Sequence, residues 1–218
     1  MKANQRMEKI VIWGASGHAM VVTDIINLIG EYQIFGFIDD INPKRHGTSF
    51  LGHKILGGAE QLDWLMENGI NKLIFGFGNN NARLRLTGLV KAKGFQLISA
   101  IHPKSIIAKN VNIAAGTVVA AGAVINSGSQ IGENTIINTS SSVDHECIIG
   151  DGAHISPGAH LGGQVVVGQG SWIGIGACII DHILIGSNSL IGAGSVVLEN
   201  IPDNVVAYGN PAKTRKAR

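Results

Sequence analysis

Apolar residues follow two different patterns along the chain, and the change comes near residue 99. From Ile101 every sixth residue is aliphatic: Ile107, Ile113, Val119, Ile125, Ile131 and so on to Val197, seventeen positions without a slip in phase. Four residues after each comes a mostly small residue, such as Ser105, Thr117, Ala123, Cys147, Ala159 or Ser189. The position before the small one is often Gly or Asn, as at Gly116, Gly122, Asn134, Gly152 and Gly176. A period of six is neither the 3.6 of an amphipathic helix nor the 2 of a half-buried strand. It fits a coil in which each hexad makes one side of a triangular prism. The aliphatic side chain points inward, the small residue fills the tighter corner, and Gly or Asn tolerates left-handed backbone angles at the turn. Three hexads close one coil, so the pattern predicts a left-handed parallel β-helix of nearly six coils, roughly 27 Å tall at the usual strand spacing.

Residues 1–98 read differently. Residues 9–13 form a short apolar strand, and Gly14-Ala15-Ser16-Gly17-His18 is a glycine turn leading into a helix over 19–29. A second strand over 34–38 ends in Asp39-Asp40. Then come a helix over about 59–68, a strand over 72–77, the turn Gly78-Asn79-Asn80, a helix near 82–93 and a last strand over 96–101. Alternating strands and helices predict βαβ units and a small parallel, Rossmann-like sheet. The expected organisation is an α/β domain over 1–98, followed over 99–218 by the β-helix with a short C-terminal tail.

Composition sharpens this picture only in places. Apolar residues make up 45% and charged residues 15%, the reverse of a disordered chain. A net charge of +2 makes no case for nucleic acid or a membrane surface. Two cysteines, Cys147 and Cys178, give no disulfide framework and suit a reducing cytosol. The opening MKANQRMEKIVIWGASGH has an apolar run of four residues leading into glycines, unlike a secretory signal. No stretch approaches the roughly 20 apolar residues of a membrane span. A cytoplasmic protein is expected.

In open parallel sheets ligands sit beyond the carboxyl ends of the strands. Three loops meet there. The turn at 14–18 offers amides at a helix N-terminus, which favour phosphate. Asp39 and Asp40 offer carboxylates to a ribose or base, and Gly78-Asn79-Asn80 offers amides and side-chain donors. GASGH is not GxGxxG, so a dinucleotide redox site is disfavoured; the alternatives are a nucleotide or nucleotide-sugar site, or glycines that serve turn geometry alone. In the β-helix, His145 and Glu146 occupy hexad positions three and four, which point outward. Gly162 and Gly163 lie one coil above and leave open surface over the imidazole. An imidazole beside a carboxylate suits base catalysis near neutral pH. Cys147 falls at the small inward position and reads as packing, while His46, His53, His102, His160 and His182 read as solvated.

Taken together, GASGH at 14–18, Asp39-Asp40, GNN at 78–80, NTSS at 138–141, HECIIG at 145–150 and GNPAK at 209–213 resemble the PglD/NeuD-like bacterial sugar acyltransferases. That family joins a small nucleotide-sugar-binding α/β domain to a left-handed β-helix, and the resemblance covers essentially the whole chain. It implies a homotrimer with active sites between subunits and acetyl-CoA as co-substrate in grooves between neighbouring β-helices, with no resident metal. It implies His145 as catalytic base supported by Glu146, with His154 beside the thioester and Gly163 lining the groove. Ile175 and Lys213 are further expected cofactor contacts, and so is a glycine at position 193, where the chain carries Ala193. Ser16, Gly17, His18, Asp39, Asp40, Gly78 and Asn79 would hold the nucleotide sugar, with Asn138 near the acceptor.

The implied reaction is N-acetylation of a nucleotide-linked 4-amino-4,6-dideoxy sugar for bacterial surface glycans or glycoproteins. The amine attacks acetyl-CoA directly, and a backbone N–H or His154 stabilises the oxyanion. O-acetylation of a sialic acid or related sugar is the alternative, and a non-catalytic nucleotide-sugar-binding scaffold a remote one. A zinc hydratase on the same fold needs converging ligands; His154 and His160 share a hexad position on adjacent faces, but no third histidine relates well to both. UDP, dTDP and GDP are not distinguished, and neither nucleic acid nor membrane is an expected partner.

Overall fold

A computed structural model describes residues 7–218. Strands β1 (Glu8–Trp13), β2 (Tyr32–Ile38), β3 (Ser49–Phe50), β4 (His53–Gly57), β5 (Lys72–Phe75) and β6 (Gln96–Leu97) form one sheet in the order β3-β4-β2-β1-β5-β6. All pairings are parallel except β3 with β4. Helix α1 (Gly17–Ile29) buries Ala19, Val22, Ile25 and Ile26, the three- and four-residue spacing of one helical face. It stops at Gly30, whose left-handed φ of 70° returns its N–H to Ile26 O. Helices α2 (Leu62–Glu67) and α3 (Asn80–Ala92) cover the other face, where Leu62, Leu65 and Val90 pack on Val11, Leu73 and Phe75.

Several boundaries differ from the sequence expectation: the strand expected over 96–101 is split into Gln96–Leu97 and Ala100–Ile101, and α1 starts at Gly17 rather than 19. Helix α3 starts at Asn80 rather than near 82, because the Asn79 side chain caps it by accepting the Ala82 N–H at 2.9 Å. The β3–β4 hairpin has no counterpart in the apolar pattern. Its two-residue turn, Leu51-Gly52, has φ of 50° and 80°, but carries none of the Asn-Gly or Asp-Gly signals that mark such turns.

From Ala100–Ile101 to Val196–Val197 the chain makes a two-residue strand every six residues, each as far as Cys178–Ile179 paired in parallel with the strand one coil on, eighteen residues later, as in Val118↔Ile136 and His154↔Trp172. Three sheets result, one per face of the prism. The first face carries His154–Ile155, the second Ser142–Val143 and His160–Leu161, the third Ile148–Ile149. The second residue of each strand points inward, and Val119 to Val197 form one buried core, with Ile101, Ile107 and Ile113 of the outermost coil partly buried. Small inward residues have a second duty when they are Ser or Thr. Several hydroxyls donate to corner carbonyls one coil on, as in Ser129 to Asp144 O at 2.7 Å and Thr135 to Gly150 O at 3.3 Å, whereas Ser105 and Ser141 donate within their own coil, to His102 O and Asn138 O.

The corners are where the chain turns left-handed. Positive φ recurs every six residues from Gly116 to Gly194, and the non-glycine members Asn134, Ser140, Glu146, Gln164, His182 and Asn188 lie between 51° and 62°. The expected C-terminal tail is corrected by the structure. A strand at Val205–Gly209 extends the first face above Leu190–Ile191 and turns back as an antiparallel strand, Ala212–Ala217. Arg218 finishes it by donating to Gly170 O at 3.2 Å and Ser189 O at 3.0 Å.

The two halves meet on the first face. Ala100, Val118 and Ile136 point outward from successive coils and are buried in one cluster with Ala19, Val22 and Ile26 of α1. The next rungs on that ladder are His154 and then Trp172. Among the described residues no helix is long and apolar enough to cross a membrane.

Candidate active site

At the carboxyl ends of β1, β2 and β5 lies a cavity of about 690 Å³ whose walls include Ser16, Asp39, Asp40, Arg45, Asn79 and Arg85. Gly14 turns the chain at φ 119°, and a Cβ there would stand 3.0 Å from Gly76 O, so the loop at 14–18 needs glycine at its first position. Arg45 holds the same loop by donating to Ala15 O at 2.6 Å. Asp40 is a wall tie: its carboxylate accepts the Trp13 indole N–H at 2.7 Å and the Ala59 N–H at 2.8 Å. Asp39 is only 6% exposed, and one of its oxygens accepts the Ile41 N–H at 2.9 Å. Its other oxygen has no hydrogen-bond partner among the described residues, which leaves it to read a ligand donor. Ser16 stands at the α1 N-cap position without a side-chain cap bond, so its hydroxyl is also available.

Asn79 lines this cavity and its neighbour Gly78 leads out of it, since a Cβ on Gly78 would lie 3.9 Å from Cε1 of His154. His154 is 6% exposed and stacks on Trp172, with ring centroids 4.7 Å apart. Asn138 Oδ1 accepts the Thr139 N–H at 2.8 Å, so it is Asn138 Nδ2 that faces His154 Nε2 at 3.1 Å. Nε2 therefore accepts, and Nδ1 carries the proton of the neutral ring. That Nδ1 is buried without a partner, as is Nε2 of His18. Burial first and the Arg83 charge second push His154 down to about 3 and His18 down to about 4. Both imidazoles are neutral at pH 7, and an unpaired buried donor is costly unless a ligand satisfies it. A second groove, about 370 Å³, runs on from His154 past Trp172, Ile175, Gly192 and Ala193.

His145 stands elsewhere, at the corner between the second and third faces. Its side chain is 55% exposed and that of Glu146 60%. His145 Nδ1 donates to Glu146 Oε2 at 3.1 Å, and Gln164, one coil above, donates to the same oxygen at 3.0 Å. Those two bonds, Gln164 first, hold the Glu146 carboxyl below its ordinary range. Asp144 steadies the backbone by accepting the His145 N–H at 2.7 Å. A Cβ on Gly163 would lie 2.6 Å from both Cε1 and Nε2 of the imidazole. Glycine there is what lets the ring lie flat against the coil above. With Nδ1 tied to Glu146, Nε2 is left as the basic nitrogen.

Some of the residues singled out from the sequence thus come together and others do not. Ser16, Asp39, Asp40 and Asn79 share the first cavity; His18, Gly78 and Asn138 gather around His154; His154, Ile175 and Ala193 share the groove. Position 193 is corrected from glycine to alanine by the sequence itself. Gly17 opens α1 with open space beside it. Gly163 lies over the His145 ring and is not among the residues lining the groove at His154. Lys213 does not line the groove at His154 and pairs with both oxygens of Glu199, at 3.0 and 2.9 Å. Cys147 is fully buried, and burial pushes its thiol up to about 11, in keeping with packing. Sequence reasoning misses Trp172 and Gln164, though each sits eighteen residues from a residue it names, and writing the sequence in columns of eighteen would find them. It also misses Arg83, which carries no signal to find it by.

Known proteins share this two-part fold. Residues 9–88 match the PglD N-terminal domain family, and 128–163 and 164–199 match the six-repeat bacterial transferase hexapeptide family. The perosamine N-acetyltransferase of Caulobacter crescentus, solved with CoA and GDP-perosamine as a histidine variant, is 36% identical with a TM-score of 0.91, covering 98% of this chain and 99% of that one. The acetyltransferase domain of PglB from Neisseria gonorrhoeae, solved with acetyl coenzyme A, is 36% identical with a TM-score of 0.89, covering 96% and 100%. The UDP-N-acetylbacillosamine N-acetyltransferase of Bacillus subtilis is 35% identical over 115 residues; the match spans 52% of this chain and about half, 51%, of that curated relative. With an α/β domain of the PglD type docked on a left-handed hexapeptide β-helix, the chain belongs to the PglD-like family of bacterial hexapeptide-repeat sugar acyltransferases.

Proposed function

We propose that the chain is an acetyl-CoA-dependent N-acetyltransferase acting on a nucleotide-linked amino sugar, working as a cytoplasmic homotrimer. The observation that carries this reading is His145: an exposed imidazole with Nδ1 held by Glu146 and Nε2 free. The relatives named for acetylating perosamine and bacillosamine favour an amine over a sialic acid hydroxyl as acceptor.

The two units, 1–98 and 99–218, divide the labour. The nucleotide occupies the cavity of Ser16, Asp39 and Asn79, and the sugar extends past Gly78 toward His18 and His154. Acetyl-CoA supplies the acetyl group as a thioester, and the groove at Ile175 and Ala193 suits its pantetheine arm. The buried, unsatisfied Nδ1–H of His154 offers a fixed donor to an oxygen in this region. His145 lies at a different corner of the same prism, so it would complete the site of a neighbouring subunit; this is the case for a trimer. Its Nε2 takes the proton from the attacking amine, and Glu146 stabilises the imidazolium. A C–N bond forms as the C–S bond breaks, and the departing thiolate recovers the proton.

The test is thiol release from acetyl-CoA against UDP-, dTDP- and GDP-4-amino-4,6-dideoxy sugars, with CMP-sialic acid and free sialic acid alongside. Turnover on one amino sugar is expected. Turnover on a sialic acid alone would replace N- with O-acetylation, and sedimentation as an active monomer would remove the shared site.

A further inference from the structure

Helix α1 already provides adhesion between the two halves, through apolar contact with Ala100, Val118 and Ile136. Helix α3 makes a second junction of quite different chemistry. Arg83 is 2% exposed, and its partners are four backbone carbonyls and a side-chain amide, with no carboxylate among them. A buried cation without a counter-ion is an expensive way to glue two surfaces. Its geometry explains why it is there.

From the β-helix, Asn134 O accepts Nε at 3.0 Å, while Gly152 O and Ala153 O accept one terminal nitrogen at 2.9 and 3.4 Å. From the α/β domain, Phe77 O accepts from the other terminal nitrogen, Nη1, at 3.3 Å, while Asn80 Oδ1 accepts at 3.0 Å from Nη2, the nitrogen that also serves Gly152 O and Ala153 O. Ala153 is the residue before His154, and Phe77 is the residue before Gly78. One planar guanidinium therefore spans the two backbone segments that face each other across the sugar end of the site. Asn80 extends the tie upward: its Nδ2 donates to Gly170 O and Ser171 O, both at 3.1 Å, just before Trp172. Leu84 seats against bare corners, since a Cβ on Gly152 or Gly170 would lie 2.6 or 3.2 Å from it.

We propose that Arg83, with Asn80, is a positioning residue for acetyl transfer: it sets the loop at 77–79 in register with the strand that carries His154. This rests on the proposed function of the site. Only the arginine fork can serve acceptors on both halves at once; a lysine keeps the charge but presents a single nitrogen. The half-sites themselves contain neither residue, so each should still bind its own ligand when the register is lost.

Arg83→Lys and Asn80→Ala test this, measured against wild type by calorimetry with CoA and separately with GDP and UDP, by steady-state kinetics, and by amide hydrogen exchange. The expected result for Arg83→Lys is ligand affinities within a few-fold of wild type, faster exchange at 77–80, and kcat lower by about 10²-fold, the scale of a misplacement of about 1 Å. Asn80→Ala should show the same split with a smaller loss. Unchanged kcat and unchanged exchange in both variants would overturn the proposal. So would joint loss of CoA and nucleotide binding with the cooperative melt, which would leave only a structural strut. If wild type itself turns over no amino sugar, the functional reading fails and the positioning role for acetyl transfer falls with it, whereas wild-type turnover with unchanged kcat in both variants overturns the positioning role alone.

Discussion

His145 and His154 lie half a coil apart in sequence and in opposite worlds. His145 stands on a corner, half in solvent, with a carboxylate on one nitrogen and no partner on the other among the described residues. His154 lies on a face, under Trp172, with Asn138 on one nitrogen and an unsatisfied proton on the other. The first environment suits a group that exchanges protons, and the second a neutral donor that must never take one up. Burial and hydrogen-bond partner, not residue type, separate the two roles.

The largest effect should come from removing the exchanging partner. His145→Ala is expected to lower kcat by about 10²–10⁴-fold, the usual worth of a general base, with CoA affinity nearly unchanged. Turnover at the wild-type rate would dissolve the contrast between the two histidines.

The next effect is on stability. His154 and His18 have native pKa values of about 3 and about 4, below the unfolded value of 6.5. Between those limits the unfolded chain binds more protons than the native one, so acid favours unfolding. The stability of the neutral native rings is complete above pH 6.5 and is lost as pH falls, at up to about 1.4 kcal/mol per pH unit for each group. Asp144 and Glu146, with depressed pKa values, add losses in the same direction only in the carboxylate range below. The melting temperature should therefore drop between about pH 6.5 and pH 5, and His154→Gln should flatten that drop by roughly half. An identical slope in the variant would mean His154 is not held neutral by the fold.

How much of this is readable in the sequence follows from what each feature depends on. The hexad phase depends on one inward residue per side of the prism, so Ile101 to Val197 declare it directly. Outward placement of His145 and Glu146, and burial of Cys147, follow from the same phase. The strands of the α/β sheet are legible as apolar runs bounded by glycine. The β3–β4 hairpin is not, because Leu51 bears a positive φ that leucine does not advertise. The C-terminal strand is hidden for another reason: its outer residues are Lys and Arg, exposed along an edge. Arg83 reads as an ordinary surface arginine on a helix; only the docked β-helix makes it buried. That the candidate site falls into a His154 part and a His145 part is likewise tertiary, since a face residue and a corner residue half a coil apart look adjacent on paper.

A smaller effect should follow from Gly163→Ala. The backbone there lacks the positive φ that would penalise alanine, so stability should change little. The new Cβ would meet the imidazole at 2.6 Å and swing it away from the coil above. About a tenfold loss of kcat is expected, and wild-type kcat would mean the ring orientation seen here is not the reactive one.

The smallest effect is also the most diagnostic. The left-handed residues at the corner bearing His145 are Gly128, Glu146, Gln164 and His182, whereas the other two corners carry mostly glycine and asparagine. An L-residue in that conformation costs about 1–2 kcal/mol, and three in succession stack where the proposed base stands. Glu146→Gly removes one such cost, partly offset by the greater freedom of glycine in the unfolded chain. The variant should be as stable as wild type or more so, by up to about 1 kcal/mol. It should also lose kcat, because His145 Nδ1 would have no carboxylate, though less than His145→Ala does. Higher stability with lower turnover would show that the corner keeps its strain for the imidazole, while His154 is fixed by stacking on Trp172 and its bond to Asn138. Higher stability with unchanged turnover would strip Glu146 of its supporting role and leave His145 to act unaided.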